Sequence, residues 1–340
     1  MSKHKGGSAR LWVFRVEEGL GNACLLGLPD GRFGVVDWGT SNPTTLGVAL
    51  KIVGRARVAF VLATHPHEDH TLGMVQLLRG LLEQGSNVER FAFSSSTLRE
   101  GATLTEARTF ALDNLITQSP VFAAVEETPS GPRVNAPYLA FGDDWEVRVL
   151  CPTADRVARA DVAANKKGRS PGNETSAVVL FSFVGSTGRD RVLLPGDVTP
   201  RTLGTARQLE ALERRLSLHN GLIVVPHHGS NRNLPKWFFS YLNGAVAVSA
   251  PSNSEHHPNR HVLRAIARHR PGLLYCTCEA LACRIARSRG RSRHVEARLA
   301  AQPCFGDLEF LIERGRPPDL VESSHDGERH RAGGICVDGG

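Results

Sequence analysis

The stretch Leu62–Gly73, LATHPHEDHTLG, sets three histidines and two acids between His65 and His70. The residues before it, RVAFVLAT, are apolar and β-branched and read as a buried strand ending at Thr64. The residues after it, TLGMVQLLRGLLEQ, place apolar side chains at helical spacing and predict a helix over Thr71–Gln84. The cluster therefore stands where a strand runs into a helix, the edge at which ligands bind in α/β folds. His65 and His67 alternate, so an extended backbone points both the same way. Asp69 and His70 then project from the turn entering the helix. Neutral imidazoles and carboxylates are the ligands that first-row divalent metals take. The local reading is a metal site, for one ion or for two side by side. A solvated polar loop could share this composition, but the order H-x-H-x-D-H between a strand and a helix is specific to the metal reading.

At 340 residues the chain is long enough for one large α/β domain or two smaller ones. Its 41% apolar and 22% charged content is that of an ordinary globular protein. No apolar run reaches the length of a membrane span, and the start MSKHKGGSAR lacks the hydrophobic segment of a secretory signal. A cytoplasmic protein with no membrane partner is expected. Seven cysteines, an odd number widely spaced, are not a disulfide framework and fit that expectation. Cys276, Cys278, Cys283 and Cys304 do not have the spacing of a closed zinc finger, and buried free thiols are the preferred reading. The net charge of +7 is concentrated: between His256 and Ala300 stand ten arginines and two acids. A basic face beside a metal site suits a polyanionic substrate, and a solvated Arg-rich surface is the equal alternative.

One loop does not close a hydrolytic metal site, so its partners must come from other strand ends. GVVDWG contains Asp37, VLLPGD ends on Asp197, and LIVVPHHGS carries His227 and His228. Each polar residue follows an apolar run and falls at the C-terminal end of a strand, and strand ends converging on one edge make a shared site. Elsewhere Asp30-Gly31 marks a hairpin turn, and Leu104–Thr117 and LGTARQLEALERRLSL read as helices. Residues 1–10 read as a flexible terminus, Asp155–Gly172 as polar with a mobile loop at NKKGRSPGN (165–173), GLLYCTC and FGDLEFLIERG as strands, and the chain from Pro317 to Gly340 as a disordered tail. The strands fall in two groups, each followed by helices, which predicts two stacked β-halves with helices outside.

These motifs together are similar to those of the metallo-β-lactamase superfamily. THPHEDH resembles its H-x-H-x-D-H signature and PGD its bridging-aspartate motif. VVPHHGS resembles its terminal histidine motif in the form found in ComEC-type competence proteins and phosphorylcholine esterases. LWVFRVEEGLGNACLLGLPDGRFGVVDWG resembles the opening hairpin of that ComEC-like subgroup, with GLGNA where GQGDA usually stands. GNETSAVVLF and SNSEHHPNRHVL resemble its N-x-x-S and N-x-x-x-H-P motifs. The resemblance runs from about Leu11 to Ile266 and implies one domain over residues 11–316, with an Arg-rich extension from 267. It implies a four-layer αβ/βα sandwich with metals at one edge of the paired sheets. His65, His67 and Asp197 would hold a first metal; Asp69, His70, Asp197 and His228 would hold a second, with Asp197 bridging. Whether His227 or His228 is the ligand stays open, and the other would contact substrate. Asp37 would orient a histidine of the loop. No histidine stands between His70 and Asp197. The first site is thus short of a ligand, which favours Mn²⁺ over Zn²⁺.

A pair of divalent ions lowers the pKa of a bridging water to give hydroxide near neutral pH, and clamps attacking and leaving oxygens. Asp69, His227 and His257 are the candidate catalytic residues, the two histidines to touch a phosphoryl oxygen or protonate a leaving group. A histidine simply starting a helix before Pro258 is the bland reading of His257. Asn173 and Ser176 are candidates to hydrogen-bond substrate or complete the metal shell. The leading expectation is a metal-dependent phosphodiesterase, a nuclease contacting the backbone of nucleic acid more than its bases. The resemblance also implies a protein partner in a bacterial defence module. The alternatives are hydrolysis of a small phosphodiester or other ester, phosphorylcholine-type or a cyclic nucleotide, and a non-catalytic binding module.

Overall fold

The computed structural model describes residues 7–16, 21–94, 101–129, 131–167, 172–186, 188–213, 217–249, 257–269, 274–277, 307–325 and 328–331. Two mixed sheets carry the chain. The first is built from β1 (Ala9–Val13), β2 (Ala23–Gly27), β3 (Phe33–Trp38), β4 (Val58–Ala63), β5 (Arg90–Phe93) and β6 (Thr117–Pro120). Helices α1 (Pro43–Val53), α2 (Glu68–Thr71), α3 (Met74–Glu83) and α4 (Ala102–Asp113) connect its parallel strands. A hairpin of β7 (Ala124–Thr128) and β8 (Gly131–Asn135) leads into β9 (Tyr138–Phe141) and β10 (Trp145–Cys151). Helix α5 (Ala154–Lys167) precedes β11 (Val178–Phe183) and β12 (Val192–Leu194). Then come α6 (Pro200–Leu212), β13 (Asn220–Val224), β14 (Leu242–Val248), α7 (Arg260–His269) and β15 (Leu274–Cys276). The chain closes with β16 (Asp307–Ile312), β17 (Asp319–His325) and β18 (Glu328–Arg331).

The nine-stranded sheet runs β18-β17-β16-β1-β2-β3-β4-β5-β6, and the seven-stranded sheet runs β15-β14-β13-β12-β11-β10-β9. Each is antiparallel at one end and parallel at the other: β3 to β6 are parallel, and so are β12 to β15. Side-chain alternation along β4 separates the layers. Phe60 and Leu62 enter a core shared with Val147, Val149, Phe181 and Leu193 of the second sheet. Val61 and Ala63 face the other way, onto Leu77, Leu78 and Leu81 of α3 and Leu104 of α4. The second sheet in turn packs with Leu203, Ala206 and Leu209 of α6 and Ile266 of α7. The result is an α/β fold of four layers. Truncating a fully buried ring between the sheets, such as Phe60 or Phe181, removes about 3–5 kcal/mol.

Three expectations are corrected. Helix α2 begins inside the metal loop, and Gly73 separates it from α3 as the N-cap of the latter, so the helix expected over Thr71–Gln84 is two. The loop expected over residues 165–173 is helical at both ends: α5 runs through Lys167, with Val157 and Ala160 burying one face while Asp155 and Arg159 stay exposed, and a 3-10 turn starts at Gly172. At the end of the Arg-rich extension β16 falls in FGDLEFLIERG and pairs with β1 inside the first sheet, burying Leu308, Phe310 and Ile312. The tail expected to be disordered from Pro317 contributes β17 and β18, whose ladders cover the edge that β16 would expose. Its polar composition suits outer strands, with Leu320 reaching the core. Residues 278–300, which hold most of the arginines, lie outside the described residues, as do Cys278, Cys283 and Cys304. Cys24 and Cys151 are buried free thiols, and Cys276 is buried as well. No helix among the described residues is long and apolar enough to cross a membrane.

Candidate metal centre

The C-terminal ends of the parallel strands of both sheets meet at one edge. Strand β3 ends beside Asp37, β4 runs into Thr64 and His65, β12 leads to Asp197, and β13 leads to His227 and His228. A backbone hydrogen bond from Ala177 N to Thr64 O, 2.8 Å, ties the halves together there.

Asp37 is fully buried and organises the first half. Its Oδ1 accepts from Thr64 N at 2.7 Å, and its Oδ2 accepts from Thr64 Oγ1 at 2.8 Å and His70 Nδ1 at 2.7 Å. A carboxylate only accepts, so His70 carries its proton on Nδ1. Thr64 has already given its proton to Asp37, so its Oγ1 accepts from His65 Nδ1 at 3.1 Å. His228 Nδ1 donates to the Ser249 carbonyl at 3.0 Å. Three rings, two from the loop and one from the end of β13, thus have Nδ1 committed to the scaffold, and Nε2 is the atom each turns toward the others. The ring centroids of His65 and His70 are 4.1 Å apart, those of His65 and His67 4.7 Å, and those of His70 and His228 5.9 Å.

The carboxylates stand among these nitrogens. His70 Nε2 lies 3.2 Å from Asp197 Oδ1 and 3.9 Å from Asp69 Oδ2, and His228 Nε2 lies 3.8 Å from Asp69 Oδ2. Nε2 of His65, His70 and His228 and Oδ1 of Asp197 are buried without an aligned hydrogen bond. Such atoms are costly to bury bare, and a cation satisfies all of them at once. Among the described residues two groups have donor atoms within 4.8 Å of one another: Asp69, His70, Asp197 and His228, and His65, His67 and Asp69. Imidazole nitrogen and carboxylate oxygen are a donor set that fits divalent ions of the zinc or manganese type. Asp69 belongs to both groups, whereas the resemblance places Asp197 in that sharing position. His228 joins the cluster and His227 does not.

Electrostatics agree with a site that attracts positive charge. Burial favours a neutral His70, yet the Asp197 and Asp37 carboxylates outweigh it and raise its pKa well above 6.5. A proton at His70 Nε2 therefore stands where the carboxylates draw a cation. Burial likewise opposes ionisation of Asp197, but His70, His228 and His65 hold its carboxyl well below 3.8. Burial, with His70 beside it, pushes His65 well below 6.5, so that ring is neutral and ready to ligate.

The remaining candidates surround the cluster. Ser176 Oγ accepts from Asp197 N at 2.9 Å, holding the aspartate's backbone. His227 Nδ1 is 2.8 Å from Asn173 Nδ2 and 3.4 Å from Asp197 Oδ2, and its ring centroid is 5.4 Å from that of His257. An amide nitrogen donates, so His227 accepts at Nδ1 and carries its proton on Nε2. Residues with no assigned role also build the site. Thr64 relays Asp37 to His65, and buried Asn233 donates to Asp197 O at 3.3 Å and Val198 O at 3.0 Å. The signal for Thr64 was available, as a hydroxyl closing a wholly apolar strand needs a polar partner. Asn233 lies in a polar turn that offers no such signal.

No known family model matches the sequence, and no curated protein does either. Among solved structures the chain is similar to the metallo-beta-lactamase fold protein YhfI from Bacillus subtilis. They are 10% identical with a TM-score of 0.45, over 79% of this chain and 96% of that one. A diphosphatase from the PhnP family is 11% identical with a TM-score of 0.41, over 80% of this chain and 96% of that one. The long form RNase Z from yeast is 10% identical with a TM-score of 0.36, over 73% of this chain and 41% of that one. At these values the likeness carries no argument about activity, and the site is read from its own geometry.

Proposed function

We propose that this chain is a metal-dependent hydrolase of phosphodiesters, working with a pair of divalent ions held at the junction of its two sheets. The observation that supports it is the convergence of Nε2 of His65, His70 and His228 on the Asp69 and Asp197 carboxylates, with every Nδ1 of the three committed elsewhere. Divalent ions there would supply Lewis acidity and a nucleophile usable at neutral pH. The chain's own residues supply orientation and a proton. Asp37 and Thr64 fix the histidines of the loop, and Ser176 and Asn233 fix Asp197. His227 is half-buried at the rim, and its Nε2–H is the candidate proton donor for a leaving oxygen. His257 beside it lines the same rim. Nucleic acid is the proposed substrate, favoured by the ten arginines between His256 and Ala300. The ComEC-like assignment and a defence-module partner rest on motif resemblance.

The test is cleavage by metal-stripped protein given Mn²⁺ or Zn²⁺, with single-stranded DNA, duplex DNA, RNA and a small phosphodiester. Metal-dependent cutting of a polymer that weakens as salt rises is the expected result. Turnover of the small diester alone would move the substrate class to small molecules, and no turnover of any of the four would count against hydrolysis.

A further inference from the structure

The two donor groups are unequal. Asp69, His70, Asp197 and His228 offer four ligand atoms, while His65, His67 and Asp69 offer three. The second group lacks a donor, and no histidine between His70 and Asp197 can provide it. A 3-10 helical turn, Gly172–Thr175, lies against this incomplete group. Gly172 has φ +45°, and a Cβ there would stand 2.5 Å from His67 Nε2, so the backbone meets the ring directly. The next residue, Asn173, places its amide nitrogen 2.8 Å from His227 Nδ1, and that ring nitrogen is 3.4 Å from Asp197 Oδ2. The turn thus meets His67 through Gly172, and His227, which faces Asp197, through the Asn173 amide.

With its nitrogen held by His227, the amide's orientation is fixed, and its Oδ1 is buried without a hydrogen bond. A carbonyl oxygen so placed needs a partner. The other oxygen-bearing residues of the segment are engaged. Ser176 Oγ accepts from Asp197 N, Thr175 Oγ1 donates to Gly172 O, and Glu174 pairs with Arg156. We propose that Asn173 Oδ1 is the oxygen ligand that completes the His65–His67–Asp69 group, an assignment that rests on the metal reading above. A neutral amide oxygen is a hard donor, so this group prefers Mn²⁺ over Zn²⁺, and its neighbour with two imidazoles and two carboxylates is the tighter of the pair.

The experiment is Mn²⁺ binding to the metal-stripped full chain, followed by the electron paramagnetic resonance signal of free Mn²⁺ and by elemental analysis after dialysis. The unaltered protein takes up two equivalents. Asn173→Ala keeps one with unchanged affinity and binds the other at least about tenfold more weakly. His65→Ala weakens the same equivalent, and Asn173→Asp recovers it. Circular dichroism and thermal unfolding show that each variant is folded before binding is read. Two equivalents with unaltered affinity in Asn173→Ala overturn the assignment. So does an equal loss in His227→Ala, because the amide would then act only by holding that ring. An unaltered protein that binds no Mn²⁺ sinks the metal reading itself, a result distinct from a failure at Asn173 alone.

Discussion

The nine-stranded sheet delivers His65, His67, Asp69 and His70 from one loop, whereas the seven-stranded sheet delivers Asp197 and His228 from two separate strand ends. In the first half, spacing along the chain places the ligands, and buried Asp37 with Thr64 locks their tautomers. In the second half, contacts between distant segments place them: Ser176 and Asn233 on Asp197, and the Ser249 carbonyl on His228. There the backbone also departs from ordinary conformations, with φ of 50° at His227 and 51° at His228. Non-glycine residues hold such angles uncommonly, and those held there by their surroundings cluster at functional sites. In the first half Asp37, with φ 60°, and Leu115, with φ 57°, share this property, and Asp37 is the one that belongs to the site. A loop rich in ligands is cheap to encode, but it becomes a closed site only when the other half is strained into register with it.

The comparison breaks most sharply at Asp197. Asp197→Ala takes the key carboxylate of the second half away, and metal-dependent turnover should fall by at least about 10³-fold, the scale on which losing one member of a catalytic unit acts. Turnover within tenfold of the unaltered protein would mean that the loop works without its distant partner. Asp37→Ala probes the first half. Releasing His70 and Thr64 while leaving every ligand present should weaken metal binding about 10–100-fold, read by competition with a chelating dye. Gly196→Ala tests the seam between the halves. Gly196 has φ +53°, and a Cβ there would lie 2.5 Å from Ser176 Oγ and 2.8 Å from Thr64 Oγ1. The denaturation midpoint should drop by the equivalent of about 1–3 kcal/mol.

The gentlest probe is pH, applied to the metal-stripped protein. His65, His67 and His227 are held below 6.5, burial being the first cause in each case, while the carboxylates around His70 hold it above. As pH falls below 6.5 the unfolded chain takes up protons that three folded imidazoles refuse, so stability declines. His70 has the opposite sign. Its contribution is full below 6.5 and is lost as pH rises through its folded pKa. Stability of the stripped protein should therefore peak near pH 6.5 and fall on both sides. Because a bound ion replaces the His70 proton, added Mn²⁺ should flatten the alkaline side. Urea midpoints across pH 5 to 9, with and without Mn²⁺, measure this, and a stripped protein equally stable across that range would contradict it.

Much of this molecule was legible in one dimension because its chemistry is local. The apolar run ending at Thr64, the H-x-H-x-D-H order and the polar residues closing three other strands express period-two alternation and the habit of α/β sheets to gather ligands at strand C-termini. Where distant pairing decides, the sequence was silent or misleading. Polar β17 and β18 look disordered until β16 offers them an edge, and the polar stretch over Ala154–Lys167 shows no helix until Val157 and Ala160 find a face to bury. The same holds within the site. Spacing allows either His227 or His228 as ligand, and the tertiary structure places His228 in the cluster because the Ser249 carbonyl turns its Nε2 inward while Asn173 draws His227 to the rim. The sequence by itself determined which residue types meet at the sheet edge. Only the folded chain decided which atom of each faces the centre, since a ring's tautomer is set by its hydrogen-bond partner, and that partner is remote in sequence.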